Sequence, residues 1–384
     1  MSTVTVFFSG TNSTSEDNNH REFLQGELVA KLAKNVVGKD NIDYIHVDGV
    51  GSGNLSEWRK QTSYEVHGFL SGQIGGRGIA NNISHVINLL TGTYTMKDRK
   101  YKARASSLLS ESRPYRLSSA YSRWRKERDA LAHDLDAGLR LQMNNIREER
   151  RRCPITQLNL IGWSRGGVSC FELANELLNH KQLATINVNI FALDPVPGGL
   201  NNFKNCYQLS NNVKQVVCFF AKDEHSVGFR ALMPKLHRST KSYITFMPGR
   251  HATLVGNWRT SSSNKGVDLI GRPGAITRDF AEKVLTSWGT RLSNKFNYSR
   301  AEILSLYKIM VDYDLKMIKK MRNESYTKIH DRKSQRSVKQ LTTRPIYSKE
   351  MWVDGNLIDV VNQHHHDVLK GNIFAIRGDA SAMR

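Results

Sequence analysis

The sequence lacks several features that define whole classes of protein. Its four cysteines lie apart without C-x-x-C spacing, which argues against a disulfide framework and against a cysteine zinc site. No apolar run approaches the roughly 18 residues that a membrane-spanning helix needs. A G-x-x-x-x-G-K-[ST] phosphate loop is absent, and the G-Q-I-G-G-R-G stretch has neither the preceding strand nor the partner acid of a dinucleotide site.

Acidic residues are few: 35 Asp and Glu stand against 56 Lys and Arg, so the net charge is +21. Such a surface is attracted to polyanions, namely nucleic acid, anionic lipid or an acidic partner. No zinc-finger pattern, aromatic RNA-binding signature or DNA-reading helix is recognisable. We therefore do not expect nucleic acid as a partner, whereas an anionic membrane surface stays open.

The first residues, M-S-T-V-T-V-F-F-S-G-T-N, are unlike a signal peptide. No basic region precedes the short apolar run, and the chain becomes polar after Phe8. We expect a protein that is cytoplasmic in the cell that makes it, or that is exported without a cleavable leader.

Apolar runs alternate with helical patterns or long connections along most of the chain. The patterns predict strands at 3–8, 42–47, 155–163, 185–193, 213–221 and 242–247, and helices at 21–35, from about 79, and at 129–150, 167–179 and 274–289. Near-continuous apolar strands suit a sheet that is covered on both faces. The sequence therefore predicts an α/β fold with a mostly parallel sheet and helices on both faces.

Ser164 lies at G-x-S-x-G spacing between Gly162 and Gly166, after the strand 155–163 and before the helix 167–179. A tight strand-to-helix turn lifts a serine hydroxyl above the sheet edge and leaves no room for side chains beside it. The N–H groups of the following helix point to the same place, which suits a developing oxyanion. The motif alone is common by chance, but its placement predicts a nucleophile.

A nucleophilic serine needs a base, and the base needs an orienting carboxylate. The candidates follow Ser164 at strand ends, first Asp194 or Asp223 and then His251. Serine, acid, histidine is the chain order of α/β-hydrolases. The usual topology of that fold favours Asp223, whereas the L-D-P turn at Asp194 resembles the acid-bearing turn of pancreatic-type lipases. Both aspartates remain candidates at this point.

The F-F-S-G-T-N stretch offers the remaining part of such a site. A strand followed by Gly10 and Thr11 can present a backbone N–H beside the nucleophile, and Arg165 supplies the other oxyanion donor through its own N–H. This chemistry needs no cofactor and no metal. The N-Q-H-H-H-D stretch at 362–367 is a poor metal site, because adjacent residues do not share a helix face.

Seven motifs occur in one order: V-F-F-S-G-T-N, V-D-G-V-G-S-G, G-I-A-N-N-I, L-I-G-W-S-R-G-G, A-L-D-P-V, A-K-D-E-H-S-V-G-F and F-M-P-G-R-H-A-T-L-V-G-N-W. Together they resemble the Tle1-like phospholipase effectors of type VI secretion, a family of α/β-hydrolases. The resemblance implies an α/β-hydrolase catalytic domain over 1–290, with Ser164 as nucleophile, Asp194 as acid and His251 as base. It also implies lipase or phospholipase chemistry on membrane phospholipid.

The chain departs from the family pattern at three places, as a distant relative would. Ser9 stands where the family has Asp, and Gly167 stands where the nucleophile motif has Ala. The histidine motif reads H-A-T-L-V-G-N-W, without the family's acidic residue and glycine run.

Two regions fall outside the regular pattern. A basic, aperiodic insertion at 95–128 is predicted within the catalytic domain, where it could cover the site as a lid. Residues 291–384 are predicted to form a basic helical C-terminal extension, whose helix over 300–322 has two open interpretations. It packs on the hydrolase core with its basic edge in water, or it docks on anionic lipid.

The resemblance further implies a secreted bacterial effector toxin with a secretion-apparatus or immunity protein as partner. The net charge of +21 would help to hold such an enzyme peripherally at a phospholipid membrane. Two alternatives remain. The first is a deacylase or thioesterase acting on lipidated or small acyl substrates. The second is a catalytically inactive hydrolase scaffold that binds an anionic partner through the basic surface.

Overall fold

The computed structural model describes residues 2–19, 26–52, 78–93, 105–106, 108–198, 205–224, 228–257 and 272–311, with a few single positions between them and four very short strands beyond.

Within these residues, six parallel strands form one sheet. They are β1 (Ser2–Phe8), β2 (Tyr44–Val47), β3 (Ile155–Trp163), β4 (Asn187–Leu193), β5 (Val213–Ala221) and β6 (Lys241–Met247). Their spatial order is β2-β1-β3-β4-β5-β6, so the order reverses between β1 and β3. Open parallel sheets bind ligands outside the carboxyl ends of their strands at such a reversal. The predicted parallel sheet is confirmed.

Helices cover both faces of this sheet. They are α1 (Leu28–Lys34), α2 (Ile79–Thr91), α3 (Ser119–Arg152), α4 (Arg165–Glu176), α5 (Arg272–Ser287) and α6 (Arg300–Val311), with short 3-10 helices at Ser15–Asn19, Leu177–Asn179 and His251–Val255. Alternate strand residues point to opposite faces: Val6 and Phe8 join α2, α3 and α4, whereas Phe7 joins α1, α5 and α6. The prediction of helices on both faces is confirmed.

The first helix is shorter than the predicted 21–35. It begins at Leu28, because Gly26 has φ +91° and Glu27 is extended. The Glu27 carboxylate caps the helix by accepting the N–H groups of Val29 and Ala30 at 3.0 and 2.8 Å. Part of the predicted range lies outside the described residues.

The long helix α3 begins at Ser119, ten residues before the predicted start at 129 and inside the predicted insertion. Trp124 anchors this added portion: it is buried, and its indole N–H donates to the carbonyl of Leu109 at 3.0 Å. The helical period is hidden in the sequence because most other side chains here are charged and exposed. Much of 94–107 lies outside the described residues, and the lid stays a prediction.

The helix predicted over 300–322 is described from Arg300 to Val311, and the rest of the predicted range lies outside the described residues. Ile303 and Met310 are buried in the same apolar cluster as α5, so this portion packs on the core. Beyond it, two antiparallel pairs are described, β7 (Ser337–Val338) with β8 (Ile346–Tyr347) and β9 (Met351–Val353) with β10 (Asn356–Ile358). The histidines at 364–366 lie outside the described residues.

The four cysteines are free thiols, and Cys153 is the exposed member of the set. Burial raises the pKa of the Cys170 and Cys218 thiols above the ordinary range. Of the helices in the described part of the chain, none is both long and apolar enough to cross a membrane.

Candidate active site

Ser164 occupies a strained turn between β3 and α4. Its backbone has φ 59° and ψ −122°, a region that residues with a side chain seldom adopt. Two hydrogen bonds to β4 and to the turn after it hold this conformation: Ser164 N–H donates to Leu193 O at 2.9 Å, and Val196 N–H donates to Ser164 O at 3.2 Å. Backbone strain of this kind persists where the surroundings over-determine it, and it is concentrated at functional sites.

Gly166 allows this turn to lie against the end of β1. A Cβ placed on Gly166 would come 2.2 Å from the carbonyl oxygen of Phe8, which no side chain tolerates. The first turn of α4 therefore approaches β1 closely, and Ser164 lies where the strand order reverses.

Asp194 is the neighbour of Ser164 across the sheet edge. Trp163 and Leu193 are register partners on β3 and β4, so the residues that follow them leave the sheet side by side. Asp194 also has a positive φ, 41°, and its N–H donates to Phe219 O at 2.7 Å. The A-L-D-P-V turn thus places a carboxylate next to the G-W-S-R-G turn.

The carboxylate of Asp194 meets the imidazole of His251. Nδ1 of His251 lies 2.5 Å from Oδ2 of Asp194, and the backbone N–H of Ala221 donates to Oδ1 at 3.2 Å. Asp194 is 0% exposed and His251 2% exposed, so water competes little for this contact. Because the carboxylate accepts the proton on Nδ1, the neutral ring presents an unprotonated Nε2, which is the base position in a serine triad.

Two aromatic rings fix the imidazole of His251. Its centroid lies 5.2 Å from the ring of Trp163 and 5.0 Å from the ring of Phe229, which meets it edge-on. Trp163 directly precedes Ser164, so this packing ties the histidine to the nucleophile turn. Sequence reasoning missed both rings, although each belongs to a motif that carries a candidate site residue.

Asp223, the alternative acid, holds the backbone that leads to His251. Its N–H donates to Gly249 O at 3.0 Å, and its Oδ2 accepts the Gly249 N–H at 2.7 Å. These two bonds join the chain after β5 to the chain after β6, two residues before His251. The structure therefore brings Asp194 to the imidazole and Asp223 to the loop that carries it.

A buried ion pair supports the same loop and was not found from the sequence. Arg250 Nε lies 3.4 Å from Glu224 Oε2, with side chains 1% and 0% exposed. Glu224 Oε2 also accepts the N–H of His251 at 3.3 Å, and Arg250 Nη2 donates to Ser226 Oγ at 3.0 Å. The sequence offered one signal for this ion pair: an acidic and a basic residue lie in two consecutive motifs, A-K-D-E-H and P-G-R-H.

The loop after β1 contacts the residues on both sides of Ser164. A Cβ on Gly10 would overlap the Trp163 ring at 2.1 Å, so the loop backbone lies directly on that ring. On the other side, Arg165 Nη1 donates to Thr11 Oγ1 at 2.5 Å. The three residues predicted as oxyanion donors are therefore gathered around the serine.

The backbone N–H groups of Gly10, Thr11 and Arg165 have no hydrogen-bond acceptor among the residues that the structure describes. The N–H of Arg165 also opens α4, where the helix dipole is positive. Preorganised donors of this kind stabilise a tetrahedral oxyanion.

The Arg165 side chain is half-buried, and burial lowers the pKa of its guanidinium to about 10. It therefore remains a cation at neutral pH. In the described part of the chain, no group of three or more His, Cys, Asp or Glu side chains could hold a metal ion.

The parallel six-stranded sheet, its two helical layers and the residues at its strand ends define an α/β protein of α/β-hydrolase-like architecture. No protein-family model and no curated protein sequence matches the chain. The chain is similar to a solved structure of an uncharacterized protein from Pseudomonas aeruginosa, at 16% identity over 76% of this chain and 46% of that chain, with a TM-score of 0.47. It is also similar to the Tle1 effector, solved bound to the VgrG spike of the Type 6 secretion system, at 12% identity over 68% of this chain and 52% of that chain, with a TM-score of 0.31. The chain thus spans about half the length of each solved protein.

Proposed function

We propose that the protein is a serine hydrolase that cleaves the carboxylic esters of membrane phospholipids through an acyl-enzyme. The observation that carries the proposal is the buried contact of 2.5 Å between His251 and Asp194, at the edge where β3 ends in the strained Ser164. A buried carboxylate on Nδ1 of a histidine, next to a serine in a strand-to-helix turn, is the arrangement that activates a hydroxyl nucleophile.

In the first half of the reaction, Ser164 Oγ attacks the ester carbonyl carbon while its proton passes to Nε2 of His251. Asp194 stabilises the resulting imidazolium. The oxyanion accepts hydrogen bonds from the N–H of Arg165 and from the N–H of Gly10 or Thr11. The carbon–oxygen bond to the alcohol then breaks, and His251 gives its proton to that oxygen, which leaves as a lysophospholipid.

In the second half, His251 accepts a proton from water as the water oxygen attacks the acyl carbon. The tetrahedral intermediate collapses, the bond to Ser164 Oγ breaks, and the proton returns to Oγ. A fatty acid leaves and the serine is restored. Every step uses side chains and backbone donors of the chain itself.

The phospholipid as substrate is supported by charge and by motif resemblance. A net charge of +21 attracts the chain to an anionic bilayer, where each basic residue near the surface contributes about 1 kcal/mol. We therefore propose peripheral membrane association, which concentrates the enzyme at its substrate.

On the motif resemblance alone, we extend the proposal to a secreted bacterial effector with a secretion-apparatus or immunity protein as partner.

To test whether the protein is a toxin, wild type and Ser164→Ala would be produced in a test bacterium, either retained in the cytoplasm or directed to the periplasm. We expect growth arrest with the wild type in at least one compartment and none with the variant. Equal growth in all four strains would argue against a toxin.

The deciding experiment is covalent labelling by a fluorophosphonate. The wild type is expected to label, Ser164→Ala is expected not to, and Ser169→Ala serves as the matched control. Ser169 is a buried serine of α4, the helix that follows Ser164, and its hydroxyl donates to Arg165 O at 3.0 Å. A folded wild type that fails to label would support the inactive scaffold instead.

Mass spectrometry of a mixed-lipid digest then identifies the substrate. Release of lysophospholipid and fatty acid by the wild type and by Ser169→Ala, but not by Ser164→Ala, is the expected outcome. Labelling without lipid release, combined with turnover of small thioesters or acylated peptides, would favour the deacylase or thioesterase.

A further inference from the structure

The half-buried Arg165 differs from the buried Arg250 and Arg278 in having no carboxylate partner among the described residues. Arg250 pairs with Glu224 at 3.4 Å, and Arg278 pairs with Glu282 at 2.7 Å. Among the described residues, no carboxylate lies within ion-pair distance of Arg165. A charge that is partly removed from water gains from a partner of opposite sign, so the missing carboxylate at Arg165 requires an explanation.

Most N–H groups of this guanidinium have no acceptor among the described residues. A guanidinium has five N–H donors. In the described part of the chain, Nη1 of Arg165 donates to Thr11 Oγ1 at 2.5 Å, whereas its buried Nε has no acceptor. A planar fork with vacant donors matches the oxygens of a phosphate, which it can bind in a bidentate way.

The surroundings add to the positive potential. Arg165 is the first residue of α4, where the free N–H groups and the helix dipole are positive. The guanidinium therefore adds its charge to an end of the helix that already favours an anion. Without a bound anion the two positive contributions oppose each other, and a negatively charged group placed there would relieve both.

We infer that the Arg165 side chain binds the head-group phosphate of the phospholipid whose ester is attacked by Ser164. This inference rests on the proposed hydrolysis of phospholipid esters and names the residue that recognises the head group. Arg165 is adjacent to Ser164 in the chain, and its guanidinium contacts Thr11 of the loop beside the serine. In a glycerophospholipid, the phosphate is only a few bonds from the ester carbonyl, so both groups can be held together. A neutral acylglycerol offers no such anion.

The competing explanation makes Arg165 a positioning residue that holds the loop at Thr11 and thereby the oxyanion donors. Such a role is indifferent to the head group, because every ester forms the same oxyanion. The two roles therefore differ in selectivity between phospholipid and neutral ester, rather than in total rate.

The test compares a short-chain phosphatidylglycerol or phosphatidylcholine with the diacylglycerol of the same acyl chains, in the same mixed micelles. For Arg165→Met we expect the ratio of kcat/KM for phospholipid to kcat/KM for diacylglycerol to fall by about 10- to 100-fold, as for loss of a charged hydrogen bond. Arg165→Lys keeps the charge without the fork, so the ratio should fall less. Arg123→Met, which removes an exposed charge from α3, controls for weaker attraction to the micelle and should keep the wild-type ratio.

An unchanged ratio in Arg165→Met, whether both rates fall together or neither falls, overturns the inference and leaves the proposed hydrolase intact. Thermal unfolding of each variant checks that it is folded. If Arg165→Met does not fold, the ratio measured for Arg165→Lys provides the test. A wild type that hydrolyses neither ester refutes the proposed function and this inference with it. A final experiment measures diacylglycerol hydrolysis in the presence of inorganic phosphate. A subsite for a lipid head group binds phosphate that is tethered to the substrate, so free phosphate should inhibit weakly. Strong inhibition would contradict the inference that the ligand of Arg165 is a lipid phosphate.

Discussion

Nδ1 of His251 lies 2.5 Å from Oδ2 of Asp194, although 57 residues separate them in the chain. Asp194 follows β4 and His251 follows β6, and the last residue of the intervening strand, Ala221, donates its N–H to the other carboxylate oxygen at 3.2 Å. Both oxygens of the carboxylate are thus held by groups at the same edge of the sheet. A carboxylate held on both oxygens cannot rotate freely, so it restricts the orientation of the imidazole whose Nδ1–H it accepts.

The two aspartates are expected to respond differently to substitution by asparagine. Asp194→Asn keeps the shape but removes the charge that stabilises the imidazolium, so kcat should fall by about 10⁴-fold, as when the acid of a serine triad is lost. Asp223→Asn retains a carbonyl oxygen that can accept the Gly249 N–H, so kcat should remain within about tenfold of wild type. Loss of activity in Asp223→Asn with retention in Asp194→Asn would reverse the assignment of the acid.

The buried pair of Glu224 and Arg250 should show strong coupling in a double-mutant cycle. Removing one partner leaves the other as an uncompensated buried charge, so Glu224→Gln and Arg250→Met should each lower the free energy of unfolding by about 3–5 kcal/mol. The double variant should lose much less than the sum of the two. Urea denaturation of the four proteins measures the cycle, and strict additivity would show that the pair does not interact.

Two glycine-to-alanine changes should have opposite effects on stability. Gly166→Ala forces a methyl group against the carbonyl of Phe8, so we expect destabilisation of about 3 kcal/mol together with loss of activity. Gly138 lies within α3 with open space where its Cβ would be, so Gly138→Ala should stabilise the protein by roughly 1 kcal/mol through helix propensity. Thermal or urea unfolding measures both, and similar effects at the two positions would contradict the close packing at the nucleophile turn.

The capping carboxyl of Glu27 should make stability depend on pH. The pKa of Glu27 is raised from 4.5 to about 7, mainly by burial and to a lesser extent by the nearby charge of Asp17. The hydrogen bonds from the N–H groups of Ala30 and Val29 act in the opposite direction and lower it, though by less. The folded state therefore binds a proton more tightly than the unfolded state does. The extra proton affinity of the folded state stabilises it by roughly 3 kcal/mol below pH 4.5. This stabilisation is lost as the pH rises through about 7.

Unfolding free energies of wild type and Glu27→Gln between pH 4 and 8 would test this. Glutamine keeps an acceptor for the cap but does not titrate, so the variant should lack this part of the pH dependence. Parallel curves for the two proteins would show that the carboxyl has an ordinary pKa.

Much of the fold was predictable because its signals are local. Six apolar runs identified the six strands within about two residues, since a strand covered on both faces must be apolar throughout. The turn at Ser164 was equally visible, because close approach to β1 leaves room only for glycine at Gly166. Helix ends were less predictable: α3 starts at Ser119 because the single buried Trp124 anchors a stretch whose other residues are mostly charged.

The sequence by itself determined the elements and the order in which a serine, two aspartates and a histidine follow the strand ends. Only the tertiary structure decided which side chains meet there. Asp194 reaches the imidazole of His251, Asp223 binds backbone at Gly249, and Arg165 has no carboxylate partner among the described residues. The reason is physical: these contacts join strand ends that are distant along the chain, and the register of the parallel sheet sets their separation. Local propensity carries no information about that separation.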